Sequence, residues 1–157
     1  MLAVRAEGGT CEDLTFESAY VPYNPHIRER YQSREANRIA RARHWRHKRG
    51  PRPTIIAVHG FGAEPYWINQ WMFALPWFYR MGCDVLLVSL PFHGRRQGPY
   101  SLVSGHHFFS GGLSWVNEAF GQAVMDIRTC VSWLSNDLGV EQIGITGISL
   151  GGYTSAL

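Results

Sequence analysis

IGITGISLGG, residues 143–152, is the stretch whose reading decides the fold of this chain. An apolar, strand-like entry at 143–146 runs into Gly-x-Ser-x-Gly at 147–151. That succession marks a strand, a sharp turn and a helix, with the Ser149 hydroxyl standing clear of the sheet as in a nucleophile elbow. A serine in such a turn takes an unfavourable backbone conformation, held by its surroundings. Strand and helix pass each other so closely that the positions two residues on either side have no room for a side chain. Gly147 and Gly151 meet that requirement. The backbone N–H of Leu150, at the start of the helix, would point at the oxyanion formed if Ser149 attacked a carbonyl. A flexible glycine loop is the plainer reading of the pattern alone, and its context argues against it.

That context is two further apolar runs. TIIAV at 54–58 is continuous and β-branched, as a strand buried on both faces should be, and leads into HGFG at 59–62. VLLVSL at 85–90 leads into PFHGR at 91–95. Three buried strands, each closing on a glycine-containing turn and separated by helical patterns, describe an α/β fold. Its sheet is mostly parallel, its helices flank the sheet, and its site lies at the carboxyl ends of the strands.

With HGFG at 59–62, LPFHGRR at 90–96 and GISLGG at 147–152 in this order, the chain resembles the α/β-hydrolase superfamily over residues 51–157, most closely its uncharacterised bacterial esterase-like members. The resemblance implies a serine hydrolase acting on a carboxylic ester, thioester or amide through an acyl-serine intermediate. Ser149 would be the nucleophile, and the N–H groups of Phe61 and Leu150 would form the oxyanion hole. His59, Gly60, Gly62, Gly147 and Gly151 would hold the supporting turns. A serine rather than an aspartate at the elbow argues against dehalogenase or epoxide-hydrolase chemistry. No cofactor and no metal is implied, and the partner is a small acyl substrate. Residues 1–50 would add antiparallel strands and a basic segment to one domain, with 51–157 as the amino-terminal half of the hydrolase unit.

Composition narrows the alternatives. With 45% apolar and 13% aromatic residues, 157 residues can bury a core. No segment has the basic, apolar and small-residue succession of a leader, and no apolar run reaches the length of a membrane span. Cys11, Cys83 and Cys130 are odd in number and widely spaced, which favours a reducing cytoplasm over a disulfide framework. Cys83 and Cys130 read as small buried residues. Net charge is +3, and ten of the fifteen basic residues lie within 28–52. A basic arm for nucleic acid is one reading. A solvated face is favoured, because no recognition-helix pattern or stacking series accompanies the charge.

Between the motifs, residues 14–21 alternate as an edge strand does, ended by Pro22 and Pro25. Residues 29–49 fit a helix at Ala36, Ile39 and Ala40, and also a strand over 39–45. The resemblance favours a second antiparallel strand there. Trp67, Trp71, Ala74 and Phe78 recur at helical spacing and read as core, with Pro65 in a first turn and Pro76 kinking or ending the helix. Residues 98–112 read as a loop. The cleanest helix follows, with Val116, Phe120, Ala123, Ile127, Val131 and Leu134 on one stripe, Ser114 as its cap and Gly139 as its close.

A serine nucleophile needs a histidine oriented by a carboxylate, and in this superfamily both follow the serine along the chain. None of residues 150–157 is acidic or a histidine. His59 is expected to hold its turn and His93 to be structural, while His106 and His107 lie on a loop able to approach the site and are not expected to be catalytic. Asp84 and Asp126 are expected to be solvated or to cap. The nucleophile strand would be left as an apolar edge, followed by a helix of about two turns, marginal by itself. The chain therefore reads as the amino-terminal part of a hydrolase, inactive by itself. It could instead be a non-catalytic subunit that self-associates, or pairs with a complementary half, through the open edge.

Overall fold

A computed structural model describes residues 9–62, 66–99, 101 and 103–157. Five strands form one sheet in the order β1-β2-β4-β3-β5. They are β1 (Gly9–Glu17), β2 (Ile39–His47), β3 (Thr54–Val58), β4 (Asp84–Ser89) and β5 (Ile143–Gly147). The sheet is mixed. β4, β3 and β5 run parallel, with Thr54 opposite both Asp84 and Ile143, while β1 and β2 are antiparallel additions on the β4 side.

β4 is buried at all six positions because both its faces are covered. On one face Ala42, Ile56, Val58, Leu86 and Val88 pack against α6 (Leu113–Asn136). On the other, Trp45, Ala57, Val85 and Leu87 pack with Phe73 and with Leu75 and Tyr79 of α4 (Leu75–Arg80). The period-2 alternation of the strands divides the core into these two layers. Among the described residues no helix is long and apolar enough to cross a membrane.

Several expectations need correction. The first strand begins at Gly9 and ends at Glu17, five residues before Pro22. The ambiguous segment uses both readings in turn: α1 (Pro25–Gln32) and α2 (Glu35–Arg38) precede β2, which carries the alternation seen at 39–45. Pro65 lies outside the described residues. Pro76 begins a helix instead of ending one. α3 (Tyr66–Met72) and α4 are separated at Ala74, whose left-handed φ of 49° breaks the helical phase, and Pro76 sits in the first turn of α4. The expected stripe is therefore split: Trp67 and Trp71 are 55% and 81% exposed, while Phe78 packs beside Phe73, Leu75 and Tyr79 in the core.

In α6 the buried stripe runs through Trp115, Ala119, Ala123, Ile127, Cys130 and Leu134, rotated from the expected one. Ser114 is exposed within the first turn and does not cap; Gly112 holds that position. Gly139, at φ 67°, reverses the chain so that the Val140 N–H donates to the Leu134 carbonyl at 2.9 Å. The 98–112 segment contains a one-turn helix, α5 (His106–Phe109). Cys130 is buried, Cys83 half-buried and Cys11 exposed, all as free thiols.

Asp84 and Asp126 are neither solvated nor capping; each is 1% exposed. Asp84 accepts from the His47 backbone N–H at 2.8 Å and pairs with its Nδ1 at 2.7 Å. Asp126 accepts from Arg96 at 2.8 Å and from the Ser18 hydroxyl at 2.5 Å. A carboxylate taken out of water must find such partners, and neither partner is close in sequence.

Candidate functional site

β5 passes into α7 (Leu150–Ala156) through Ser149, whose backbone stands at φ 52°, ψ −116°. A side chain rarely occupies this region, and surrounding contacts must hold it there. The side chain of Ser149 is exposed. Around it the chain is packed at backbone level. A Cβ on Gly147 would lie 2.3 Å from the Gly151 carbonyl oxygen, and one on Gly151 would lie 2.0 Å from the Val58 carbonyl oxygen. Both glycines are therefore steric necessities of the crossing between β3, β5 and α7. The Ile148 N–H donates to the Val58 carbonyl at 3.2 Å, locking the turn to the end of β3.

The turn at 59–62 adjoins this elbow. A Cβ on Gly60 would sit 3.3 Å from the Ile148 carbonyl oxygen and 3.6 Å from Ser149 Cβ. Gly62 has φ 69°, which an L side chain tolerates poorly. Phe61 is half-exposed, its ring edge-on to His93 at 5.8 Å and tilted against Phe109 at 5.5 Å. Leu150 is the first residue of α7, so its N–H has no acceptor within the helix.

His59 is 3% exposed, and both its ring nitrogens are engaged by backbone. Nε2 accepts from the Leu90 N–H at 3.0 Å, so Nδ1 carries the proton and donates to the Gly60 carbonyl at 2.8 Å. The imidazole thus ties the first turn to the end of β4. Burial lowers its pKa to about 4. His93 packs on it at 4.9 Å between centroids and donates from Nδ1 to the Pro91 carbonyl at 2.8 Å. Burial, then the neighbouring His59, lower its pKa to about 3. His106 and His107 lie on α5, where His107 Nδ1 is 3.3 Å from the Ser110 hydroxyl. Among the described residues no histidine hydrogen-bonds to Ser149. The structure thus brings the elbow, Gly60 and the wall of His59 and His93 together, and among the described residues no histidine or carboxylate hydrogen-bonds to the serine.

The structural part expected of His93 takes the form of a ring contact with Phe61. A Cβ on Gly105 would lie 2.2 Å from the His93 Nε2, so Gly105 packs directly on that ring. Nothing in the sequence pairs Gly105 with His93.

Solved structures share this arrangement of strands and helices. A protein from Bacteroides fragilis NCTC 9343 named as an acetyl xylan esterase superposes with a TM-score of 0.67 at 16% identity, over 95% of this chain and 41% of its own. A cold-adapted esterase from an Arctic intertidal metagenomic library gives 0.60 at 13% identity, over 96% and 55%. At these identities the likeness is one of fold. Two uncharacterized proteins of Mycobacterium tuberculosis, from strains CDC 1551 / Oshkosh and ATCC 25618 / H37Rv, are each 33% identical over 150 residues. Those matches cover 92% of this chain and 35% of theirs, so the chain spans about a third of the length of these relatives. The profile described as "Alpha/beta hydrolase domain containing 18" matches residues 3–157, nearly end to end, and the chain belongs to that α/β-hydrolase family.

Proposed function

We propose that the intact protein is a serine hydrolase acting on a carboxylic ester, thioester or amide through an acyl-serine intermediate. The observation that carries this reading is the backbone of Ser149, strained at φ 52°, with its side chain exposed beside the turn at Gly60. Ser149 attacks the carbonyl, and the N–H groups of Phe61 and Leu150 receive the developing oxyanion. The esterase neighbours support the same class of reaction. His59 and His93 do not serve as base: the His59 Nε2 is taken by the Leu90 N–H, burial leaves both rings weakly basic, and among the described residues neither hydrogen-bonds to Ser149. The base and its orienting carboxylate then come from outside residues 1–157, and these residues alone turn over poorly.

The test is labelling of the intact gene product with a fluorophosphonate, with the adduct mapped by mass spectrometry. Modification at Ser149, lost in Ser149→Ala, is expected. Labelling of a different serine, or ester hydrolysis undiminished by Ser149→Ala, would overturn the assignment. A second reading is a non-catalytic subunit that pairs through the free side of β5, favoured by the 44% exposure of Ile145 on that strand. A stable monomer by light scattering counts against it.

A further inference from the structure

On the α3–α4 side of the sheet lies a cavity of 260 Å³ that the reading above does not use. Trp45 packs against α4 on this face, and the alternation of β2 brings Arg43 and Arg41 to the same side. Register sets Asp13 beside Arg43 on β1, and Ser89 beside Arg41 on β4. Arg95, in the turn after β4, and Tyr66, on α3, complete the lining. One carboxylate thus meets three guanidinium groups.

Their pairing is uneven. Arg43 holds Asp13 with two hydrogen bonds, 2.6 Å from Nε and 2.9 Å from Nη2, and its guanidinium lies 4.3 Å from the Tyr66 ring centroid. That pair is settled. Arg41 Nε is buried and has no acceptor, and Arg95 is exposed and forms no ion pair among the described residues. With Asp13 engaged by Arg43, the guanidinium charge of Arg41 and Arg95 favours an incoming oxyanion. Asp13 is held below the usual carboxylate range, first by its hydrogen bond to Arg43, with the charges of Arg95 and Arg41 acting in the same direction.

We propose that this cavity is a binding site for a small molecule bearing a phosphate or carboxylate group, held by Arg41 and Arg95 and walled by Tyr66. Guanidinium groups match both oxyanions with paired hydrogen bonds. The volume suits a compact anion better than a drug-sized ligand. His59 also lines the cavity. The site does not depend on Ser149 acting as a nucleophile.

The test is calorimetric titration of the full chain at low ionic strength with inorganic phosphate and, in a separate arm, with succinate, against sodium chloride of matched ionic strength. Saturable one-to-one binding is expected in at least one arm, and the arm that saturates identifies the oxyanion. Arg41→Gln and Arg95→Gln should each weaken it about tenfold. Arg95 is exposed, so its variant should keep the wild-type thermal midpoint and serves as the test should Arg41→Gln not fold. Ser149→Ala should bind as wild type, which separates this site from the hydrolase reading. No saturation in either arm, or equal binding by Arg95→Gln, overturns the proposal.

Discussion

Gly151 lies so close to Val58 that a single added methyl group would stand 2.0 Å from the Val58 carbonyl oxygen and 2.5 Å from that of His59. The obstacle is backbone on both counts, so no rotamer change can relieve it. Gly151→Ala is expected to destabilise the chain by about 3 kcal/mol, the upper part of the range for overpacking. Gly98→Ala, with nothing within 4 Å of its added carbon, should stay within about 0.5 kcal/mol of wild type. Urea unfolding of the two variants checks the difference, and equal midpoints would show that α7 can shift away from β3.

Ser149 presents the opposite case. Its φ of 52° and ψ of −116° cost a non-glycine residue about 1–3 kcal/mol, which glycine largely escapes. Ser149→Gly should therefore raise stability by about 1 kcal/mol, after glycine's greater freedom in the unfolded chain is counted. The same change should abolish fluorophosphonate labelling of the intact protein. Thermal unfolding and labelling together check it; a loss of stability would mean that the hydroxyl contributes more than the strain costs.

His59 and His93, with folded pKa values of about 4 and about 3, are neutral in the fold and charge more readily once unfolded. Unfolded histidine titrates near 6.5, so below that pH the unfolded state binds more protons and gains ground. Stability is full above pH 6.5 and is lost as the pH falls toward 4, by roughly 2–3 kcal/mol per pH unit at the steepest. Burial lowers His44 in the same direction. Denaturant unfolding between pH 7 and 5 measures the slope, and His93→Gln should remove close to half of it. A slope unchanged in that variant would mean that His93 does not stay neutral.

Glu118 on α6 accepts three hydrogen bonds from the segment before α1: the Tyr20 hydroxyl at 2.5 Å, the Tyr23 N–H at 2.9 Å and the Asn24 N–H at 2.8 Å. Glu118→Gln sets an amide NH₂ against at least one of these donors. It should cost about 1–3 kcal/mol, released locally as faster amide exchange at residues 23 and 24. Hydrogen-exchange mass spectrometry over 20–24 reads this directly, and unchanged protection there would sink the idea that one carboxylate anchors the segment.

Of the candidate site, the elbow could be read from the chain because its requirements are local: a serine, and glycines two residues to either side where backbones cross. Its neighbour at Gly60 could be named but not placed. Its place beside Ser149, where an added Cβ would come within 3.6 Å of the Ser149 Cβ, arises only when β3 and β5 pair in register from Thr54 and Ile143. The outward turn of Trp67 and Trp71 was hidden for a related reason. One left-handed residue, Ala74, shifts the helical phase, and nothing in its side chain announces that conformation.

What the sequence alone determined is therefore the α/β class, the positions of β3, β4 and β5 to within a residue, and the long helix α6. Runs buried on both faces, and apolar spacing along a helix, are written in consecutive residues. The tertiary structure decided the rest: Asp126 on Arg96, Asp84 on His47, His93 under Gly105, and Arg41 and Arg95 facing one cavity. Each of these joins residues far apart along the chain. A charge or ring with a distant partner leaves no period in the sequence, and only the folded sheet brings the two together.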